Sequence, residues 1–205
     1  MDGKIVGVSV KVKRWMAFVL ACAAVLSLCA CSKQTDDDAK QPEHVAVEAK
    51  LVSFESLEEM EEYCDVIIRG VRLAEEESRV NMANGTIIGG YTLSQLKVTQ
   101  VIRDEEGLLE NIEEITILEN EFVDTTTNKI YHVGGYNMMV EGKEYLLFLR
   151  KSDMGYYVSA GVNFGTISLE NDGRQDARKT ARGEVVEDFS YFKPIWDAAK
   201  EKYID

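Results

Sequence analysis

The sequence predicts a mainly β domain with one short helix near its beginning and one helix at its end. Roughly seven short runs rich in β-branched and aromatic residues follow one another between turn residues, and no internal repeat is visible. Apolar residues at helical spacing occur only at the two ends of this series. The run 145–149 (YLLFL) is apolar on both faces of a strand, which is typical of a central strand covered on both sides. We therefore expect a partly open antiparallel barrel of the OB-like kind and disfavour a two-sheet sandwich.

Residues 1–30 are predicted to be a lipoprotein signal peptide that takes no part in the fold. A basic beginning is followed by the apolar run 15–28, which is shorter than the roughly 20 residues that cross a bilayer. The next residues, Leu28-Cys29-Ala30-Cys31, resemble a bacterial lipobox. This resemblance implies export, cleavage before Cys31 and acylation of Cys31, which would hold the protein on the extracytoplasmic side of the cell membrane. An uncleaved transmembrane anchor is the alternative.

The charge balance argues against nucleic acid as a partner. The chain has 23 basic and 36 acidic residues, which become 19 and 35 without the four basic and one acidic residue of 1–30, a formal charge of −16. Binding to nucleic acid or to anionic lipid headgroups requires a basic patch, and this acidic balance argues against both. The expected contact with the membrane is therefore the lipid on Cys31 alone.

The cysteines predict a domain without disulfides. Cys22 and Cys29 leave with the signal peptide, and acylation of Cys31 leaves Cys64 with no partner. Cys64 follows an acidic helical stretch without an evident basic neighbour. We expect it to be a small buried hydrophobic residue and not a nucleophile.

Residues 31–44 are predicted to be a disordered tether, and 45–205 a single β-rich domain. A first strand is expected over 45–52, and Ser56 begins a short helix that ends near Tyr63. Gly70 is expected to mark a bulge or a close backbone approach. Stretch 74–90 is weakly patterned, although Asn84-Gly85 within it is a strong hairpin signal. Stretch 122–129 is turn-like, and 171–184 is polar. The remaining predicted elements are strands 65–73, 91–102, 114–118, 130–133, 156–160 and 162–169, and a terminal helix 194–203.

Three phrases carry a resemblance to a known class of proteins. They are Cys-Asp-Val-Ile-Ile-Arg-Gly at 64–70, Tyr-Thr-x-Ser-x-x-x-Val-x-x-Val at 91–101, and Gly-Lys-x-Tyr-Leu-Leu-Phe-Leu at 142–149. Together they resemble cell-surface lipoproteins of Gram-positive bacteria, and the last is distantly similar to a strand in the netrin-like barrels of metalloproteinase inhibitors. The resemblance implies a barrel and no site. No inhibitory residue is carried over, because this chain lacks the disulfides of those inhibitors and its mature N-terminal Cys31 is expected to be acylated.

Catalytic motifs are absent from the sequence. It contains no H-E-x-x-H, C-x-x-C, G-x-S-x-G, P-loop or G-x-G-x-x-G pattern. With His44 in the tether, His132 is expected to be the only histidine of the folded part. A lone histidine in a short strand is more often structural than a base or a metal ligand. We therefore predict no catalytic residue, no metal ligand and no cofactor.

The leading hypothesis is a lipid-anchored extracytoplasmic binding domain whose partner is a protein or peptide. Aromatic and imidazole side chains could line a ligand-binding face between the strands. The alternatives are a small envelope hydrolase or its accessory subunit, with His132 or an acidic pair as the chemistry, and a structural spacer lipoprotein. The candidate ligand-face residues are Tyr131, His132, Tyr136, Tyr156 and Tyr157.

Overall fold

The computed structural model describes residues 41–170 and 191–204. The predicted signal peptide, the predicted lipidation site Cys31, most of the predicted tether and the polar stretch 171–184 lie outside the described residues. Within the described ranges, no helix is both long and apolar enough to cross a membrane.

Nine strands and two helices occur in the described part of the chain. The helices are α1 (Leu57–Tyr63) and α2 (Lys193–Tyr203). The strands are β1 (Glu43–Val47), β2 (Val66–Ala83), β3 (Thr86–Asp104), β4 (Glu114–Glu119), β5 (Glu121–Asp124), β6 (Lys129–Val133), β7 (Glu144–Lys151), β8 (Tyr157–Ser159) and β9 (Thr166–Ser168).

The large sheet closes into a ring of five strands, which confirms the predicted partly open barrel. Its order is β2-β3-β4-β8-β7-β9, and a further pairing of β2 with β7 completes the ring. All these pairings are antiparallel except β4 with β8, which is parallel and joins only two residue pairs, beginning with Ile117 and Tyr157. The barrel is therefore most weakly closed at β8. A second sheet, in the order β1-β6-β5, lies outside the ring.

Strand β7 is covered on both faces, as its sequence predicts. Tyr145, Leu147 and Leu149 belong to the apolar cluster that also holds Leu96 and Ile117 of β3 and β4. Successive side chains of a strand point to opposite faces, so the intervening residues of β7 meet a second cluster. That cluster contains residues of both helices and of β7 and β9, including Leu57, Met60, Leu146, Phe148, Ile167, Ile195 and Trp196.

The two helices form as predicted and cover one side of the barrel. The Ser56 hydroxyl accepts the backbone N–H of Glu59, which caps the first turn of α1. In α2, Trp196 is buried and its indole N–H donates to the Phe164 carbonyl at 2.9 Å. Cys64, at the end of α1, is buried, and burial raises the pKa of its thiol to about 12. Cys64 is therefore buried, as expected. Arg103 does lie nearby and lowers the pKa of the thiol, but by less than burial raises it.

The hairpin formed by β2 and β3 corrects the interpretation of 74–90 as weakly patterned. The two strands pair along their whole length up to Ala83 and Thr86, and Asn84 and Gly85 form the turn with φ of 50° and 77°. Those positive φ values suit the Asn-Gly type I′ turn that the sequence predicts. Residues 74–77 are exposed, so this part of the strand carries no alternating apolar pattern. The backbone pairing with β3 keeps this part of β2 extended instead.

Gly70 also lies where the sequence places a bulge. The register of β2 against β3 shifts between Arg69 and Gly70, and a Cβ atom there would lie 2.7 Å from a Leu96 methyl carbon. The close approach of Leu96 explains why this position holds a glycine.

Strands β5 and β1 correct two further expectations. Residues Phe122–Asp124 were predicted to be turn-like but form β5, because Phe122 is fully buried and stacks on Tyr131 of β6 at 4.8 Å. Strand β1 begins at Glu43, and its backbone N–H donates to the Asn128 carbonyl. His44 therefore lies in a strand paired with β6 and not in the tether.

Candidate binding groove and histidine cluster

An open groove of about 630 Å³ lies between the far end of β2 and the β5–β6 turn. This volume falls within the range of roughly 300–1,000 Å³ that is usual for ligand sites. We call it the hairpin groove. Its lining residues are Glu75, Ser78, Val80, Met82, Gly85, Ile87, Val123, Asp124, Thr125, Thr126 and Thr127.

Side-chain hydrogen bonds hold β5 beside β2 without a backbone ladder between them. The Ser78 hydroxyl accepts the Val123 backbone N–H at 2.8 Å. The Thr92 hydroxyl lies 3.1 Å from the Ser78 hydroxyl and donates to the Glu121 carbonyl at 2.6 Å. Below them Phe122 packs so close to Gly90 that a Cβ atom there would be 2.5 Å from the ring. These contacts fix one end of the groove and leave the other end open.

The β2 wall of the groove is one face of the β2–β3 hairpin, since it includes the alternate residues Ser78, Val80 and Met82 and, beside Met82, Ile87 of β3. The outer edge of β2 is also unpaired here. Pairing of β2 with β7 ends at Val71, and in the described part of the chain β2 has no other strand partner beyond that point except β3. The wall carries apolar side chains, of which Met82 is 56% exposed. On β3, Ile88 beside the same turn is 68% exposed. Exposed apolar side chains next to an unpaired edge are the features of an interaction surface.

The opposite wall consists of hydroxyl groups around one carboxylate. Asp124 accepts the Thr126 backbone N–H at 2.9 Å and the Thr127 hydroxyl at 2.5 Å. The Thr127 hydroxyl lowers the pKa of the Asp124 carboxyl below its ordinary value. The carboxylate is thus ionised at neutral pH and already engaged in its own turn, which makes this wall rigid and acidic.

A histidine cluster lies on the small sheet. His132 of β6 faces Glu121 of β5 directly across the ladder, and its Nδ1 is 3.0 Å from the Glu121 Oε2. The same Nδ1 lies 3.0 Å from the Tyr136 carbonyl oxygen. The other nitrogen, Nε2, lies 2.8 Å from Nδ1 of His44 on β1. The two imidazole rings are nearly parallel, at 16°, with centroids 5.0 Å apart.

A buried ion pair positions the loop that contacts this cluster. Glu119 is fully buried, and its Oε1 accepts Arg72 Nε at 3.0 Å and the Ser94 hydroxyl at 2.5 Å. Its Oε2 accepts the Tyr136 hydroxyl at 3.0 Å and the Met139 backbone N–H at 2.6 Å. Four donors thus satisfy one buried carboxylate, and they tie 136–139 to β2, β3 and β4.

The structure separates the five candidate ligand-face residues into two groups, three in or just after β6 and two in or just before β8. Tyr131 is half-buried on Phe122, and Tyr136 is buried with its hydroxyl on Glu119. Tyr156 is half-buried against Tyr91, while Tyr157 is buried with its hydroxyl 3.4 Å from the Leu108 carbonyl. Only His132 and Tyr136 are brought into direct contact by these hydrogen bonds.

Sequence reasoning missed the acidic and histidine partners of His132. His44 could have been assigned to a strand by extending the alternation of Val45 and Val47 backwards by one residue. Glu121 gave no local signal, since only the pairing of β5 with β6 places it opposite His132. The hairpin groove was missed because its β2 wall was not recognised as a strand.

The cluster contains part of the arrangement that hydrolases use. A carboxylate on one imidazole nitrogen orients the ring and supports the other nitrogen as a base. In this chain that other nitrogen of His132 contacts His44 and not a serine or cysteine. The described residues also contain no group of three His, Cys, Asp or Glu side chains arranged around a metal ion.

Comparison of the chain with protein-family models and with curated proteins found no match. The function must therefore be argued from the groove and the cluster themselves.

Proposed function

We propose that the chain is a lipid-anchored extracytoplasmic domain that binds an extended polypeptide segment of a partner protein in the hairpin groove. The observation that carries the binding part is the open groove over the face of the β2–β3 hairpin, where β2 also has no second strand partner in the described residues. The anchoring part rests on the signal-peptide pattern and Cys31 in the sequence.

An extended segment fits this groove better than a compact ligand does. A strand edge offers backbone N–H and C=O groups that a peptide can use by adding itself as a further strand. Neighbouring apolar positions then select alternate side chains of the peptide, and Val80, Met82 and Ile87 supply such positions. Thr125–Thr127 supply hydroxyls on the other wall.

The charges around the groove favour a partner segment that carries basic side chains. Glu75 and Asp124 line it, and Glu76 lies beside Glu75 on the exposed part of β2, whereas Glu77 is paired with Arg79. Opposite charge speeds encounter and disfavours acidic competitors. The partner segment is thus apolar and basic in alternation.

A pair of matched variants tests the binding site. The full chain in detergent micelles, and its Met82→Asp and Met154→Asp variants, are each exposed to an envelope extract, and captured proteins are quantified by mass spectrometry. Both methionines are exposed, at 56% and 68%, so neither change disturbs the core. The proposal expects capture of a specific protein that Met82→Asp abolishes and Met154→Asp leaves intact.

Hydrogen exchange then tests how the segment is held. A synthetic peptide from the captured protein is expected to slow amide exchange along the far half of β2 and in the β5–β6 turn. Equal capture by the two variants, or protection confined to another part of the chain, would contradict binding in the hairpin groove. Complete absence of a specific partner would favour the spacer alternative.

The anchor has its own test. Cells that express the chain are labelled with palmitate, and the membrane fraction is compared with that of Cys31→Ser. The proposal expects label and membrane retention in the parent chain and loss of both in the variant. Retention of the unlabelled variant in the membrane would instead indicate an uncleaved anchor.

A further inference from the structure

Two histidines of the cluster face each other through their ring nitrogens. His44 Nδ1 and His132 Nε2 face each other at 2.8 Å, on two parallel strands of one small sheet. His132 cannot turn away, because its Nδ1 is held by the Glu121 carboxylate and the Tyr136 carbonyl, each at 3.0 Å. Its Nε2 is thereby directed at His44. His44 itself is exposed, so an ion can reach the pair from solvent.

We propose that His44 and His132 form a binding site for a divalent transition-metal ion, with Cu²⁺ the preferred ion. Imidazole nitrogens bind such ions at about 2.0 Å, and two nitrogens 2.8 Å apart then subtend roughly 90° at the ion. This is the angle between neighbouring ligands in the square-planar or tetragonal geometry of Cu²⁺. A tetrahedral Zn²⁺ ion would need the nitrogens about 3.3 Å apart.

Glu121 is the positioning residue of this site. A carboxylate on the outer nitrogen of a metal-binding histidine fixes the tautomer, the ring orientation and the basicity of the ligand. With Nδ1–H of His132 donating to Glu121 Oε2, Nε2 carries the lone pair that accepts from His44 Nδ1, and the ion would replace this hydrogen bond.

Binding requires a change of tautomer at His44. With Nδ1–H of His132 donating to Glu121, the proton of the hydrogen bond between the rings is on His44 Nδ1, and it moves to Nε2 of the same ring when both lone pairs bind Cu²⁺. The described residues contribute no third His, Cys, Asp or Glu ligand, so water completes the coordination.

Electron paramagnetic resonance of the full chain with Cu²⁺ tests the proposal. The chain has two histidines, so a spectrum with coupling to two imidazole nitrogens can come only from this pair. We expect one such ion per chain, with tighter binding of Cu²⁺ than of Zn²⁺ by isothermal titration. His44→Gln and His132→Gln should each remove the two-nitrogen signal. Glu121→Gln should keep the signal and weaken binding by about tenfold or more.

The variants separate the metal site from a purely structural pair. Because His44 is exposed, His44→Gln should retain the circular dichroism and unfolding transition of the parent chain. A two-nitrogen signal that survives in that variant would overturn the proposal, and so would a parent spectrum that shows one imidazole or none. Unchanged affinity in Glu121→Gln would contradict the role assigned to that carboxylate.

Discussion

Replacement of Glu119 by Gln tests whether the buried network sets the stability of the barrel. The substitution keeps the size of the side chain and removes its charge. Arg72, whose side chain is 7% exposed, then lacks its counter-ion, and the new amide group must face donors where the carboxylate accepted four hydrogen bonds. Removal of one partner from a buried ion pair costs about 3–5 kcal/mol. That is a large share of the roughly 5–15 kcal/mol that stabilises a typical domain.

Urea unfolding followed by the fluorescence of buried Trp196 measures this cost. With a slope of about 2 kcal/mol per M, the Glu119→Gln midpoint should fall by roughly 2 M. Tyr136→Phe removes one of the four donors and should cost about 1 kcal/mol. Asp197→Asn, which breaks the exposed pair with Lys193 on α2, should change stability by no more than about 0.5 kcal/mol.

The order of the stability losses in these three variants tests whether the Arg72–Glu119 ion pair is buried and stabilising. If Glu119→Gln costs no more than Asp197→Asn, then Arg72 and Glu119 are not desolvated and the network does not position 136–139. If it costs no more than Tyr136→Phe, the ionic part of the network contributes nothing beyond its hydrogen bonds. Either result would refute the reasoning from burial.

Three further predictions follow from local contacts. Because the pKa of the buried Cys64 thiol is about 12, almost all of it is protonated at pH 8. A disulfide reagent should therefore label the folded chain very slowly and the urea-unfolded chain rapidly. Fast labelling without urea would contradict the burial of Cys64. Gly90→Ala places a Cβ atom 2.5 Å from the Phe122 ring and should cost about 1–3 kcal/mol in urea unfolding; an unchanged midpoint would show that β5 can shift freely. The hydrogen bond from Thr99 and the ion pair with Arg69 lower the pKa of Glu144, so its stabilising effect is present at neutral pH and lost as the pH falls through that lowered value. Glu144→Gln should therefore be less stable at pH 7 and lose less stability on acidification below about pH 4.3, as followed by urea unfolding at several pH values; parallel curves for the two proteins would rule this out.

Strand β7 and the two helices are among the elements that were predicted correctly, because their own residues show where they are buried. Strand β7 alternates between the two apolar clusters, so its sequence alone shows that it is covered twice. Ser56 and the apolar spacing after it define α1, and the apolar face of α2 defines its contact with the barrel. Local pattern and final burial agree at these places, because burial on a fixed side imposes the pattern.

The histidine cluster could not be predicted in the same way. His44 and His132 are 88 positions apart, and they meet because β1 pairs in parallel with β6. Glu121 joins them because β5 pairs with the other edge of β6. Each contact depends on a choice of strand partner, and a five-residue strand with half-exposed side chains leaves that choice open.

The hairpin groove arises from a difference in length between two neighbouring strands. Strand β2 has 18 residues, whereas β7 has 8 and pairs with β2 only as far as Val71. The turn at Gly142 that limits β7 is visible in the sequence, but the extension of β2 is not, because its residues after Leu73 are exposed or half-buried and follow no alternation. A strand whose faces are largely accessible to solvent, and which pairs with one neighbour only, shows no alternation of buried and exposed residues in its sequence. The absence of a pattern over 74–83 and the availability of the β2 edge therefore have the same physical cause.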